Sequence, residues 1–200
     1  FSNLYFLWSS DEEWGSSLTT IDSISVGPSP FRALSHAELK AINDSNAKNI
    51  LELGVYLGYS TIRILRNLDN FSKLTSIESN KKFAEIAKEH IKISGLSENH
   101  ELLIGKTTQI IPTLDEKFDF IFIDHWKDLY LEDLKMLERK KLIKHNAWIF
   151  ADNVILFNLE DYLGYVRSSP NYQSKFISTK REYSKSHPDG IEISIFKDEI

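Results

Sequence analysis

Phe118 to Asp124 reads FDFIFID, apolar at almost every position until it stops on an acid. A run that is apolar on both alternations needs protein on both of its faces, so it reads as the central strand of a buried parallel sheet. Around it the chain repeats strand, turn and helix. NILELGV (49–55) leads to a helix over 59–68, LTSIE (74–78) to one over 80–94, and ELLIG (101–105) to one over 107–114; after FDFIFID come a helix over 129–141 and a strand over 147–153. This alternation predicts an α/β fold, a doubly wound and mostly parallel sheet with helices on both faces.

Ahead of this, Ser35 with Glu38 has capping-box spacing and Leu34 with Leu39 fits the staple around it, which predicts a first helix from Leu34 to near Asn46. Phe83, Ile86, Ala87 and Ile91 recur at helical spacing, with Gly95 placed to end that helix. Beyond a helix near 160–169, FISTKRE (176–182) and IEISIFK (191–197) alternate around His187-Pro188-Asp189-Gly190. That tetrapeptide reads as a hairpin turn, so the sheet is expected to close with a C-terminal antiparallel hairpin. Residues 1–24 read as a loop-rich lead-in and 25–200 as a single domain.

With 200 residues, 42% of them hydrophobic, the chain fills one core. Acids outnumber bases by 29 to 24 and the pI is near 5.7, which argues against a nucleic-acid partner and for a small molecule. Cysteine is absent, so neither disulfides nor thiolate metal sites are available. No apolar stretch reaches the roughly 18 residues of a membrane span. The chain opens on Phe1 and its only methionine is Met136, so a natural start upstream is expected. The cytoplasm is the default address, an upstream membrane anchor is compatible with it, and a monomer or weak dimer is expected.

Three features carry chemistry. In ELGVYLGYS, Glu52 to Ser60, Gly54 and Gly58 sit where a strand turns into a helix, so backbone approaches a ligand closely and amide donors face it. The spacing is not GxGxxG. Glu78 closes the next strand, where a carboxylate accepts ribose hydroxyls, and the two features together point to a nucleoside ligand in the crevice of an open α/β sheet. Third, FIDHWKDLY and AWIFADN both deliver oxygen side chains at strand ends: Asp124, then Asp152 and Asn153. Two carboxylates and an amide, without histidine or cysteine in a zinc pattern, suit Mg²⁺. An octahedron with three protein ligands leaves room for vicinal oxygens of a substrate, and Lys127 stands close enough in sequence to act as base. Taken singly, each residue also has an ordinary structural role: tight packing for the glycines, a turn or cap for the acids, a solvated pair for Lys127 and Asp128, core for Trp126.

ILELGVYLGYST, SIESNKKF, IIPTL, FIDHWKDLYLEDL, ADNV and DGIEISIFK follow in an order that resembles animal-type catechol O-methyltransferase over about residues 25–197. The string DHWKDLY is the most specific part, because the related caffeoyl-CoA methyltransferases keep the acids but not this lysine. The resemblance implies a seven-stranded, Rossmann-like class I fold that binds S-adenosyl-L-methionine and Mg²⁺ and methylates a catechol-like small molecule. By that resemblance Val26, Glu52, Gly54, Tyr56, Ser60, Glu78, Ser79, Thr107, Asp124, His125 and Trp126 contact the cofactor. Asp124, Asp152 and Asn153 hold the metal, Lys127 is the base, and Glu182 holds the second hydroxyl, with Trp126 and Asn153 also on the acceptor side.

The sequence departs from that pattern on the acceptor side. Asp22 and Ile24 stand where a tryptophan and a methionine precede the VG motif, with Trp8 or Trp14 as substitutes from elsewhere. Phe157 replaces a proline, and Arg181 replaces an aliphatic residue in a position that would favour a carboxylate-bearing acceptor. The competing readings are a nucleotide-dependent oxidoreductase, which would bind NADH, and a non-catalytic module that binds cofactor without turnover.

Overall fold

The computed structural model describes residues 31–180 and 188–197. Val26, Arg181, Glu182, His187, Trp8, Trp14 and the lead-in 1–24 lie outside the described residues.

The elements in order are α1 (Phe31–Ser45), β1 (Asn49–Leu53), α2 (Tyr59–Arg66), β2 (Lys73–Glu78), α3 (Lys81–Ile93), β3 (His100–Ile104), α4 (Thr107–Ile110), β4 (Phe118–Ile123), α5 (Tyr130–Arg139), β5 (Ile143–Ala151), α6 (Glu160–Ser168), β6 (Tyr172–Lys180) and β7 (Pro188–Phe196). They form one seven-stranded sheet in the order β3-β2-β1-β4-β5-β7-β6. The pairs from β3 to β5 are parallel, and β7 runs antiparallel to both β5 and β6. The doubly wound sheet with its closing antiparallel pair is the architecture expected from the alternation of FDFIFID and its neighbours. No helix among the described residues is long and apolar enough to cross a membrane.

β4 shows why the chain needs two helical layers. Phe120 and Phe122 pack with α1, α2 and α3 residues such as Ile42, Ile64 and Ile91 on one face. Ile121 and Ile123 pack with Leu134, Leu137 and Tyr162 of α5 and α6 on the other. Both sets are buried, so burial on each face stabilises the same strand. Its one polar residue, Asp119, accepts the main-chain N–H groups of Lys48 (2.9 Å) and Asn49 (2.8 Å), fastening the entry of β1 to the neighbouring strand.

Three of the differences from the sequence reading have a direct physical reason. The first helix begins at Phe31, so Ser35 and Glu38 lie within it and not at its cap. The helix expected over 107–114 is four residues of α4 followed by a 3₁₀ turn, Ile111–Thr113, because Pro112 removes a helical donor. Pro188, Asp189 and Gly190 are not a turn: they are the first residues of β7, paired with Lys180, Thr179 and Ser178. Proline is tolerated at a strand's first position, which hides the strand from a search for turn residues.

Candidate active site

Strand order reverses between β1 and β4, and a crevice opens at such a switch point, outside the carboxyl ends of the strands. All the predicted site residues among the described ones follow those ends, except Glu52, which lies within β1, and Glu78, which closes β2. Four hydrogen bonds carry the sheet ladder one residue further. Gly54 N donates to Ile77 O (3.0 Å), Gly105 N to Glu78 O (2.9 Å), Asp124 N to Leu53 O (2.9 Å) and Asp152 N to Ile123 O (3.1 Å). The functional loops therefore start from backbone that the sheet has already fixed.

On the β1–β2 side, Glu78 holds the glycine loop. Its Oε2 accepts from Val55 N (3.1 Å) and Tyr56 N (2.9 Å), and its Oε1 from Asn80 N (2.7 Å), so Oε1 keeps more free acceptor capacity for a hydroxyl. Gly54 and Gly58 have φ of +97° and +88°, which suits glycine alone. Tyr56 also lies at positive φ, is half exposed, and meets Phe83 edge-on at 4.8 Å. Ser79 is exposed directly after Glu78. Thr107, at the start of α4, is buried, and its Oγ1 lacks a partner among the described residues.

Glu52 is fully buried in β1. Its carboxylate accepts from Ser60 Oγ (2.6 Å), Thr61 Oγ1 (2.7 Å) and Ser76 Oγ (2.7 Å), tying α2 to β1 and β2 under the glycine loop. Burial pushes its pKa from 4.5 up to about 7 against the pull of these hydroxyls. Burial likewise pushes Glu38 up to about 8, although Arg63 Nε stands 3.9 Å from its Oε2 and opposes the shift. Between pH 4.5 and about 8 the folded chain holds protons that the unfolded chain has released. The contribution of these two groups to stability is therefore greatest below this window and falls as pH rises through it, by up to about 1.4 kcal/mol per pH unit for each group. It is opposed below pH 6.5 by His100, whose pKa burial lowers to about 4. Urea unfolding at pH 5 and pH 8 is expected to show this loss, and Glu38→Gln is expected to reduce it.

On the β4–β5 side, the register Ile123↔Ala151 sets Asp124 beside Asp152 on adjacent parallel strands. Lys127 Nζ donates to Asp124 Oδ1 (2.6 Å), Asn153 Oδ1 (3.2 Å) and the Tyr130 hydroxyl (2.6 Å). Burial first, then the charges of Asp124 and Asp152, hold the Tyr130 phenol well above its ordinary range, so it keeps its proton. That proton is donated to Asp152 O at 3.1 Å, which leaves the oxygen to accept from Lys127. Asp152 is buried, with Oδ1 accepting the main-chain N–H of Asn153 (2.7 Å). Asn153 has φ of +56°, a conformation that asparagine tolerates better than most residues.

His125 bonds through Nε2 to Asp133 Oδ2 (2.7 Å) and stacks on Tyr130 with centroids 5.3 Å apart. Trp126 is 72% exposed, so it is not core. The Phe157 ring centroid lies 5.6 Å from Lys127 Nζ, which places this replaced proline beside the proposed base.

Among the described residues, no three His, Cys, Asp or Glu side chains gather as a metal-holding group. Of the proposed donor set of two carboxylates and an amide, two members meet on one positive charge. The Lys127 ammonium acts as a stand-in cation on which Asp124 Oδ1 and Asn153 Oδ1 converge. Hard oxygen donors meeting around a positive charge fit Mg²⁺.

Tyr130, Asp133 and Asp189 are hydrogen-bond partners of the predicted site residues Lys127, His125 and Asn153 that sequence reasoning missed. Tyr130 lies one helical turn after Lys127, a spacing that gave a usable signal. Asp189 meets Asn153 across 36 positions, and no local pattern reveals such a pair.

A family model described as O-methyltransferase matches residues 37–177. The chain belongs to the O-methyltransferase family. Catechol O-methyltransferase B of Danio rerio is 39% identical over 160 residues, covering 78% of this chain and 60% of that protein. Catechol O-methyltransferase of Bos taurus is 35% identical over 163 residues, covering 79% and 60%. The chain thus spans about 60% of the length of these two curated relatives. Among solved structures, the O-methyltransferase of Bacillus cereus in complex with SAH superposes with a TM-score of 0.76 at 21% identity, covering 92% of this chain and 93% of that one. The O-methyltransferase TomG of Streptomyces achromogenes, in complex with SAM, gives 0.75 at 23% identity, covering 82% and 80%. These two likenesses support the fold.

Proposed function

We propose that the chain transfers a methyl group from S-adenosylmethionine to one hydroxyl of a catechol-like vicinal diol, with Mg²⁺ bound at the ends of β4 and β5. The observation that carries this reading is the convergence of Asp124 Oδ1 and Asn153 Oδ1 on one positive charge, within the crevice at the β1/β4 switch. The curated relatives named as catechol O-methyltransferases support it.

When bound, the cofactor supplies an electrophilic methyl and the dication draws charge from the acceptor's oxygens. The rest belongs to the chain. Asp124, Asp152 and Asn153 would hold the cation, and Lys127, once its ammonium has given up a proton to solvent, would take the proton of the reacting hydroxyl as the neutral amine. The Tyr130 hydroxyl accepts from Lys127 Nζ and so keeps that nitrogen beside the site. Glu78 Oε1 takes a ribose hydroxyl while its other contacts keep the glycine loop closed around the cofactor. Trp126 and Phe157, both more than half exposed, form apolar walls for a planar ring. Glu182 holds the second hydroxyl in this reading. Such a site accelerates by alignment and by making a phenolate, the better nucleophile.

Incubation with methyl-labelled cofactor and a panel of catechols, with Mg²⁺ or with chelator, tests this. Label is expected in a mono-methylated diol with Mg²⁺ alone. Equal turnover under chelation, or turnover only on monophenols, overturns it.

A further inference from the structure

Asp189 is 1% exposed at the start of β7, and its carboxylate accepts three N–H groups. Gly190 N (2.8 Å) and Leu156 N (3.2 Å) donate to Oδ1, and Asn153 Nδ2 (3.0 Å) donates to Oδ2. From the opposite side, Lys127 Nζ donates to Asn153 Oδ1 at 3.2 Å. The Asn153 amide thus lies between a carboxylate, which only accepts, and an ammonium, which only donates. One orientation satisfies both partners. The flipped amide would set its nitrogen against the ammonium and its oxygen against the carboxylate, leaving buried polar atoms unpaired.

We infer that Asp189 is a positioning residue that selects the orientation of the Asn153 side chain, turning its oxygen and not its nitrogen toward the cation position. The same carboxylate holds Leu156 N, so it also fixes the loop that carries Phe157. The consequence for Mg²⁺ rests on the function proposed above, whereas the orientation rests on the hydrogen bonds alone. Partners one step removed from a metal commonly change its affinity by about 10- to 100-fold.

The chemistry of asparagine supplies a discriminating variant. In Asp189→Asn the two fixed main-chain donors, Leu156 N and Gly190 N, claim the single side-chain oxygen. The new NH₂ then confronts Asn153 and inverts its amide, presenting nitrogen to the cation. Asp189→Ala merely releases Asn153. Calorimetric titration of the whole chain with Mg²⁺, with thermal unfolding to confirm the fold, is expected to show affinity falling more than about tenfold in Asp189→Asn and less in Asp189→Ala. Adding Asn153→Asp to Asp189→Asn restores a two-sided acceptor and is expected to recover most of the loss.

A supporting role alone predicts the reverse ranking, with alanine worse than asparagine and no rescue; that result overturns the inference. Should the wild-type chain take up no Mg²⁺, the cation part of the proposed function fails, and the ¹⁵N–¹H side-chain signals of Asn153 decide the orientation. Slow exchange of its amide protons in the wild type, lost in Asp189→Ala, supports the inference. Identical signals in the two proteins overturn it.

Discussion

Lys127→Met is expected to lower kcat for methyl transfer by about 10²- to 10⁴-fold while the chain stays folded. The amine lies between Asp124 Oδ1, Asn153 Oδ1 and the Tyr130 hydroxyl, and no other lysine shares those partners among the described residues. Methionine keeps the length of the stem and removes the proton acceptor. The opposite sign is expected for the metal. The ammonium and a dication compete for the same two oxygens, so Mg²⁺ affinity is expected to rise in Lys127→Met as turnover falls. Calorimetry beside single-turnover kinetics separates these effects. A fall of less than about tenfold in the chemical step contradicts the assignment of Lys127 as base.

Gly54→Ala is expected to destabilise the fold by roughly 3–5 kcal/mol and to abolish cofactor binding in the fraction that folds. A Cβ at this position would stand 2.6 Å from Asp124 O, 2.8 Å from Asp124 C and 2.8 Å from His125 Cα. All three are main-chain atoms, so no side chain can swing aside. The φ of +97° adds strain of its own for any L side chain. Relief requires β1 and β4 to part at their carboxyl ends, which separates the glycine loop from the cation ligands. Against a total stability of about 5–15 kcal/mol this is a large share. The urea midpoint is expected to drop with little change in m; a midpoint within error of wild type contradicts the close approach.

What was readable in the sequence divides along a physical line. FDFIFID announced a strand buried on both faces because period and composition are local properties, and β4 occupies the centre of the sheet accordingly. Asp124, Asp152 and Asn153 are identifiable because they stand within two residues of a strand's end. Where tertiary packing overrides a local pattern, the reading failed. Ser35 with Glu38 has capping-box spacing, yet Glu38 lies inside α1 and is buried. Pro188-Asp189-Gly190 has turn composition, yet the residues extend β7 and Asp189 reaches back to Asn153. Asp133 gave no sign of its bond to His125, since an acid in the first turn of a helix is explained well enough by the helix dipole. Partners that position functional groups are long-range by nature, and a single sequence records them only as ordinary polar residues.

Anomalous scattering from crystals grown with Mn²⁺, S-adenosylhomocysteine and a non-reacting catechol tests the cation site most directly. The expected result is one Mn²⁺ peak at about 2.2 Å from side-chain oxygens of Asp124, Asp152 and Asn153, with both catechol oxygens completing its shell and Lys127 Nζ beside one of them. A peak elsewhere on the chain, or a catechol seated in the crevice with no metal between it and Asp124, would contradict the proposed site.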